Sequence, residues 1–246
     1  MQGKEKVISA FKHTEWADAL LAKAYCDQAD HLIQDRPRLL ALLQLFYKIF
    51  LGQRTRIKVL DLGCGDGILG STLKNFDPYI DLSAWDGSED MLMAAKARLS
   101  AWPDVKYQQI TFQEIIHKTD LESGYDFIVS SFAIHHLRHK EKRALFAQIQ
   151  QLLNTGGFFL NLDTVQPDHP VYETFYNEVW RDWLHQRQEQ FLLDEDILTT
   201  PERAKAKPEN QYEPLSVQIR FLEEVGFNDV ECFYRAGMFA MYGGRK

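Results

Sequence analysis

Two hydrophobic rhythms divide this chain. Ahead of Arg54 the spacing is helical: 17–29 is rich in alanine, and Leu39 to Leu51 is amphipathic. Pro37 stands at the opening turn of the second helix, where a missing N–H is tolerated. From Ile57 onward, short apolar runs of strand length take turns with helix-period segments. The runs are Ile57 to Leu62, Ile80 to Trp85, Val105 to Ile110, Tyr125 to Ser131 and Phe158 to Asp163. Helices are expected at Ile68 to Asn75, Ser88 to Leu99 with Ser88 as N-cap, and Lys140 to Leu153. Strands alternating with helices predict an α/β fold with a doubly wound, mostly parallel sheet. After the fifth strand comes an insertion, Asp168 to Leu193, with aromatic residues at helical spacing; the polar stretch Thr199 to Tyr212 with its two prolines then reads as a mobile loop. Pro214 to Val225 is a last helix, ended by Gly226. Asn228 to Tyr234 and Met238 to Tyr242 make a closing hairpin.

Composition changes this picture little. A chain of 246 residues can bury a full core as one folded unit. The longest apolar stretch, Leu39 to Leu51, is too short and too polar to span a bilayer. No basic-then-apolar leader opens the chain. Cys26, Cys64 and Cys232 are far apart and odd in number, which suggests reduced thiols in a cytoplasm rather than a disulfide framework or a metal site. The formal net charge of −7 weakens the case for a nucleic-acid partner without removing it.

The chemistry begins at Asp61-Leu62-Gly63-Cys64-Gly65-Asp66-Gly67, where a buried strand ends in a glycine turn and a helix follows. That is the form of a nucleotide site, and Gly65 to Gly70 even fits the dinucleotide pattern G-x-G-x-x-G. Asp61 and Asp66 argue against a pyrophosphate, which they would repel. They suit a cation, such as the ammonium and sulfonium of S-adenosylmethionine. Asp86 lies about 20 residues beyond the turn, the spacing at which a carboxylate meets ribose hydroxyls.

The stretch resembles motif I of the class I S-adenosylmethionine-dependent methyltransferases, and the resemblance runs from about Ile57 to Asp163, returning weakly over Pro214 to Lys246. It implies a Rossmann-like, seven-stranded sheet with the last strand antiparallel. It also implies an N-terminal helical cap (1–53), a cofactor domain (54–246) and a substrate-lid insertion (166–212). Cofactor contacts are expected from Asp61, Gly63, Cys64, Gly65, Asp86 and Ser130. Gly87 stands where the family has an apolar residue against the adenine, so Met91 or Met93 is expected to supply that surface. Thr111 and Phe112 stand where an aspartate commonly accepts from the adenine amino group. Phe132-Ala133-Ile134-His135-His136-Leu137 is similar to the run that ends the fourth strand of many small-molecule members.

Methyl transfer needs a base only when the acceptor must lose a proton. His136, His135 and Asp163 are the candidates, with His136 ahead because its column matches the family's more regular histidine. Lys140, Glu141, Lys142 and Arg143 read as a solvated helix start. Tyr172, Tyr176 and Trp180 on the insertion, with Arg235 and Met238 at the last turn, are expected around a small, anionic methyl acceptor. Arg181 and Arg187 are placed to close over it. Tyr25 either faces the site or packs two helices together. A tRNA-modifying or carboxy-S-adenosylmethionine synthase-like enzyme, and a non-catalytic binding protein of the same fold, are the alternatives.

Overall fold

The computed structural model describes residues 28–246, so Tyr25 and Cys26 lie outside the described residues. Its elements are α1 (Arg36–Phe50), β1 (Lys58–Leu62), α2 (Ile68–Phe76), β2 (Asp81–Asp86), α3 (Glu89–Arg98), β3 (Lys106–Gln109), α4 (Phe112–His117) and β4 (Tyr125–Ser131). There follow α5 (His139–Leu152), β5 (Leu153–Thr164), α6 (Glu173–Phe191), α7 (Thr200–Ala206), α8 (Leu215–Glu224), β6 (Asn228–Ala236) and β7 (Phe239–Arg245).

The seven strands lie in the order β3-β2-β1-β4-β5-β7-β6. β1 to β5 are parallel, and β7 runs antiparallel between β5 and β6. Strand periodicity sends alternate side chains to opposite faces. Val59 therefore joins a core with Leu39, Leu43, Leu69 and Leu73, whereas Leu60 and Leu62 join Leu145, Phe146 and Leu222 on the other face. α1 is thus one of the helices flanking the sheet. A third cluster sits under the insertion, where Trp180 and Leu184 pack on Ala29, Ile33, Met238 and Phe239.

The sheet order reverses between β1 and β4. Loops leaving their carboxyl ends diverge there and leave a crevice, the usual ligand position in open α/β sheets. Two expectations need correction. The Thr199 to Tyr212 stretch contains a helix, α7, which packs beside α6 through contacts such as the Lys205–Glu173 ion pair at 2.5 Å. Lys142 is fully buried, unlike the exposed Lys140 and Arg143 beside it.

Candidate functional site

β1 delivers Asp61 to the edge of the crevice, and the backbone then turns through Gly63, Gly65 and Gly67 at φ +66, +53 and +77. Gly63 has a second reason to be glycine: a Cβ there would lie 2.8 Å from both Ala133 Cβ and Phe112 Cζ. Above Gly65 nothing stands within 4 Å of such a Cβ, so that face of the turn is open. The turn is pinned to the next strand, with Gly63 and Cys64 N–H donating to the Trp85 carbonyl at 2.8 and 3.0 Å.

Asp61 is buried, accepts from Gly70 N–H at 2.9 Å through Oδ2, and has no partner for Oδ1. Burial pushes its carboxyl well above the usual range, against the pull of that amide. Asp86 accepts from Gly65 N–H at 2.9 Å and Ser88 N–H at 2.8 Å, and burial raises its carboxyl as well. A carboxylate offers about four acceptor positions, so capacity remains for a hydroxyl. Asp66 departs from expectation. It pairs with Arg98 across to α3, so its charge is neutralised away from the turn's open face. The Cys64 thiol is held protonated by burial and by Asp86 and Asp61.

Around this turn the remaining candidates divide. Met91 is buried and Met93 is 54% exposed, so only Met91 is placed to present an apolar surface inward. The Gly87 carbonyl accepts from the Gln109 side chain at 3.3 Å. Thr111 is the N-cap of α4: its hydroxyl accepts from Glu114 N–H at 3.2 Å and donates to the Glu114 carboxylate at 2.9 Å. That capping box explains the threonine without any ligand. Phe112 lays its ring against Gly63. Ser130, near the end of β4, is wholly buried with its hydroxyl oxygen unpartnered.

Beyond β4 the chain makes a forced turn. Phe132 has φ 49, in the left-handed region, which is strained for a bulky residue. Its N–H is held by the Leu162 carbonyl at 2.8 Å. The turn folds Ile134–His136 into a short 3₁₀ segment and drops His135 onto the end of β5. There Asp163 accepts from His135 Nδ1 at 2.6 Å and from His135 N–H at 3.0 Å. Asn161 Nδ2 at 3.3 Å and Thr164 N–H at 2.9 Å complete its shell. Against a carboxylate, Nδ1 is the donating nitrogen, and in the tautomer that keeps its proton there Nε2 is the accepting atom.

The two histidines have different surroundings. His135 has the oriented imidazole. His136 has Nδ1 3.3 Å from the Glu209 carbonyl oxygen, and burial together with neighbouring His135 pulls its basicity well below the ordinary range. Asp163 is 0% exposed, and its carboxylate is enclosed by His135, Asn161 and Thr164.

Both histidines line a cavity of about 280 Å³ at the carboxyl ends of β4 and β5. Its walls include Leu32, Ile33, Phe132, Trp180 and Phe239, with Arg203 and Lys207 on the α7 side. Trp180 is fixed by its indole N–H, which donates to the Leu32 carbonyl at 2.9 Å. Tyr172 is 53% exposed and lies outside the lining. Tyr176 and Arg235 are also outside it: the guanidinium lies 5.1 Å from the tyrosine ring centroid and donates to the Gly237 and Gln166 carbonyls at 3.2 and 3.3 Å. Those carbonyls, together with Asp168, occupy the fork that an anionic acceptor was expected to fill. Met238 is buried in the third core cluster. Arg181 pairs with Glu178 and Glu202, and Arg187 lies over Trp183. The wall residues Thr200, Arg203 and Ala204 lie on α7, a seven-residue helix whose polar, proline-containing sequence carries no apolar period. Nothing in the residue type marks Phe132 as a strained corner.

Residues 60–159 match a family model described as a methyltransferase domain. The chain is 28% identical over 178 residues to juvenile hormone acid O-methyltransferase of Bombyx mori, a match covering 71% of this chain and 58% of that protein. It is 29% identical over 131 residues to YcgJ of Bacillus subtilis (strain 168), described as an uncharacterized methyltransferase, covering 52% and 49% of the two chains. The chain thus spans about half to three fifths of these relatives' length. Among solved structures, an O-methyltransferase family protein from Burkholderia thailandensis aligns with TM-score 0.67 at 15% identity, over 96% of this chain and 62% of that one. A structure described as PigF with SAH aligns with TM-score 0.58 at 16% identity, over 98% and 68%. At these identities the structural likenesses speak for the fold.

Proposed function

We propose that this chain, a member of the class I S-adenosylmethionine-dependent methyltransferases, moves a methyl group onto a hydroxyl oxygen of a small, largely apolar molecule. The observation that carries the reading is the His135–Asp163 pair facing an apolar-walled cavity at the crevice.

The glycine turn fits the cofactor on three counts. Gly65 leaves open space for close approach, Asp61 Oδ1 is an orphaned buried acceptor for a cationic group, and Asp86 keeps acceptor capacity for a ribose hydroxyl. Ser130, with its unpartnered hydroxyl, and buried Met91 stand beside it. When bound, S-adenosylmethionine supplies an electrophilic methyl carbon whose bonding electrons leave with sulfur. The chain's own residues do the rest. The aromatic and aliphatic walls exclude water and hold the acceptor's body. Asp163 orients the His135 ring, and Nε2 takes the hydroxyl proton as the oxygen becomes nucleophilic.

A second reading has one observation in its favour. Arg203 and Lys207 on the cavity wall suit an acidic acceptor, and the Bombyx mori relative is named for one. A carboxylate needs no base, so in that case the dyad is idle. Turnover of S-adenosylmethionine to S-adenosylhomocysteine, measured against panels of phenols, alcohols and carboxylic acids, separates the two. On the hydroxyl reading, phenols or alcohols are methylated and His135→Ala slows turnover by about a hundredfold or more. Methylation of carboxylic acids alone, at equal rates in wild type and His135→Ala, contradicts it.

A further inference from the structure

Residues 207–213 leave α7 and run back over the histidine turn. Gln211 N–H donates to the His135 carbonyl at 2.9 Å, and the His136 ring meets the Glu209 carbonyl. The Tyr212 ring faces the His135 ring at a centroid distance of 5.3 Å. Lys207, Glu209, Asn210 and Tyr212 from this strap all contribute to the cavity wall. The strap is therefore part of the pocket and is attached to its histidines.

Lys142 completes the attachment from below. Its ammonium is fully buried and donates to the Gln211 carbonyl oxygen. Lys142 stands one turn ahead of Leu145 and Phe146 on the buried face of α5, where packing asks only for an apolar residue. Burying an ammonium is costly unless it is bonded and charge-compensated. Glu213, Asp163 and Glu141 supply the compensating charge, while burial pulls the lysine's basicity down. One residue, Gln211, thus has its carbonyl held by Lys142 and its N–H spent on His135.

We propose that Lys142 is a positioning residue, which latches the 207–213 strap across the acceptor cavity and, through Gln211, steadies the backbone of His135 against Asp163. The proposal rests on the cavity being the acceptor site. The latch works by the orientation of two peptide groups, and no proton or bond changes hands.

Hydrogen–deuterium exchange on the full chain saturated with S-adenosylhomocysteine tests it. Lys142→Met keeps length and apolar stem but removes the donor. Gln211→Pro, at an exposed position, removes the N–H that reaches His135. Losing either hydrogen bond should speed exchange in a peptide spanning 207–213 by about ten- to a hundredfold, with β5 and S-adenosylmethionine affinity unchanged. With whichever phenol or alcohol the panel identifies, both variants should raise KM more than they lower kcat. Unchanged strap exchange in Lys142→Met overturns the latch. So does faster exchange spread evenly over the sheet with KM unaltered, the mark of a merely structural lysine. If Lys142→Met fails to fold, Gln211→Pro carries the same comparison, and unchanged strap exchange there overturns the proposal. Exchange needs no acceptor. A chain that loosens as described yet methylates nothing keeps the latch and loses the proposed reaction; one that methylates without loosening does the reverse.

Discussion

Asp61 and His136 are each kept in a protonation state their surroundings dislike changing. Asp61 is buried with one oxygen unpartnered, so its carboxyl is raised. A carboxyl raised in the folded state gives stability that is present below its unfolded value and lost as pH rises through the folded one. At neutral pH the ligand-free protein therefore carries a destabilising Asp61. Asp61→Asn should raise the thermal midpoint of the ligand-free protein at pH 7 and weaken S-adenosylmethionine binding; calorimetric melting with and without the cofactor reads both. His136 has the opposite sign. Its basicity is depressed by burial from the ordinary 6.5, so its contribution is full above that pH and is lost as pH falls through the lower folded value. Melting temperatures measured down the acidic side should fall less steeply in His136→Gln than in wild type. Equal slopes would mean that His136 is no more buried than a surface histidine.

At the scale of elements, the glycine turn and the corner at Phe132 press on each other. Gly63 sits against Ala133 and Phe112, so the turn after β1 and the turn after β4 close on the same spot. A Gly63→Ala change meets positive φ and two close carbons at once. It should cost roughly 1–3 kcal/mol in stability and remove cofactor binding, read by denaturant melts and calorimetry. Much of this was legible in the sequence. The spacing of glycines and carboxylates marked the turn, and β-branched and aromatic runs marked the strands. What was not legible depends on distant partners. Asp66 looks like a ligand group until Arg98, from the far end of α3, is seen paired with it. Lys142 looks solvated because its neighbours are charged. Thr111 looks like a ligand acceptor until Glu114 closes the capping box. His135 and His136 are adjacent, and the register of β4 against β5 together with the corner at Phe132 decides which one meets Asp163.

At the scale of the whole molecule, the sheet separates two tasks. The glycine turn and Asp86 stand at the ends of β1 and β2, and the cavity with His135 stands at the ends of β4 and β5. The crossing between β1 and β4 brings the two sides together, which is why a cofactor on one side can face an acceptor on the other. The insertion and α7 then roof the second side. Everything proposed for the cavity depends on what the first side holds. The most direct measurement is a calorimetric titration of the full chain with S-adenosylmethionine, repeated on Asp86→Ala and with NAD in its place. One molecule of S-adenosylmethionine should bind per chain, Asp86→Ala should weaken it by about tenfold or more, and NAD should give no heat. Tight NAD binding, or equal S-adenosylmethionine affinity in wild type and Asp86→Ala, would contradict the assignment of the glycine turn and Asp86 to this cofactor.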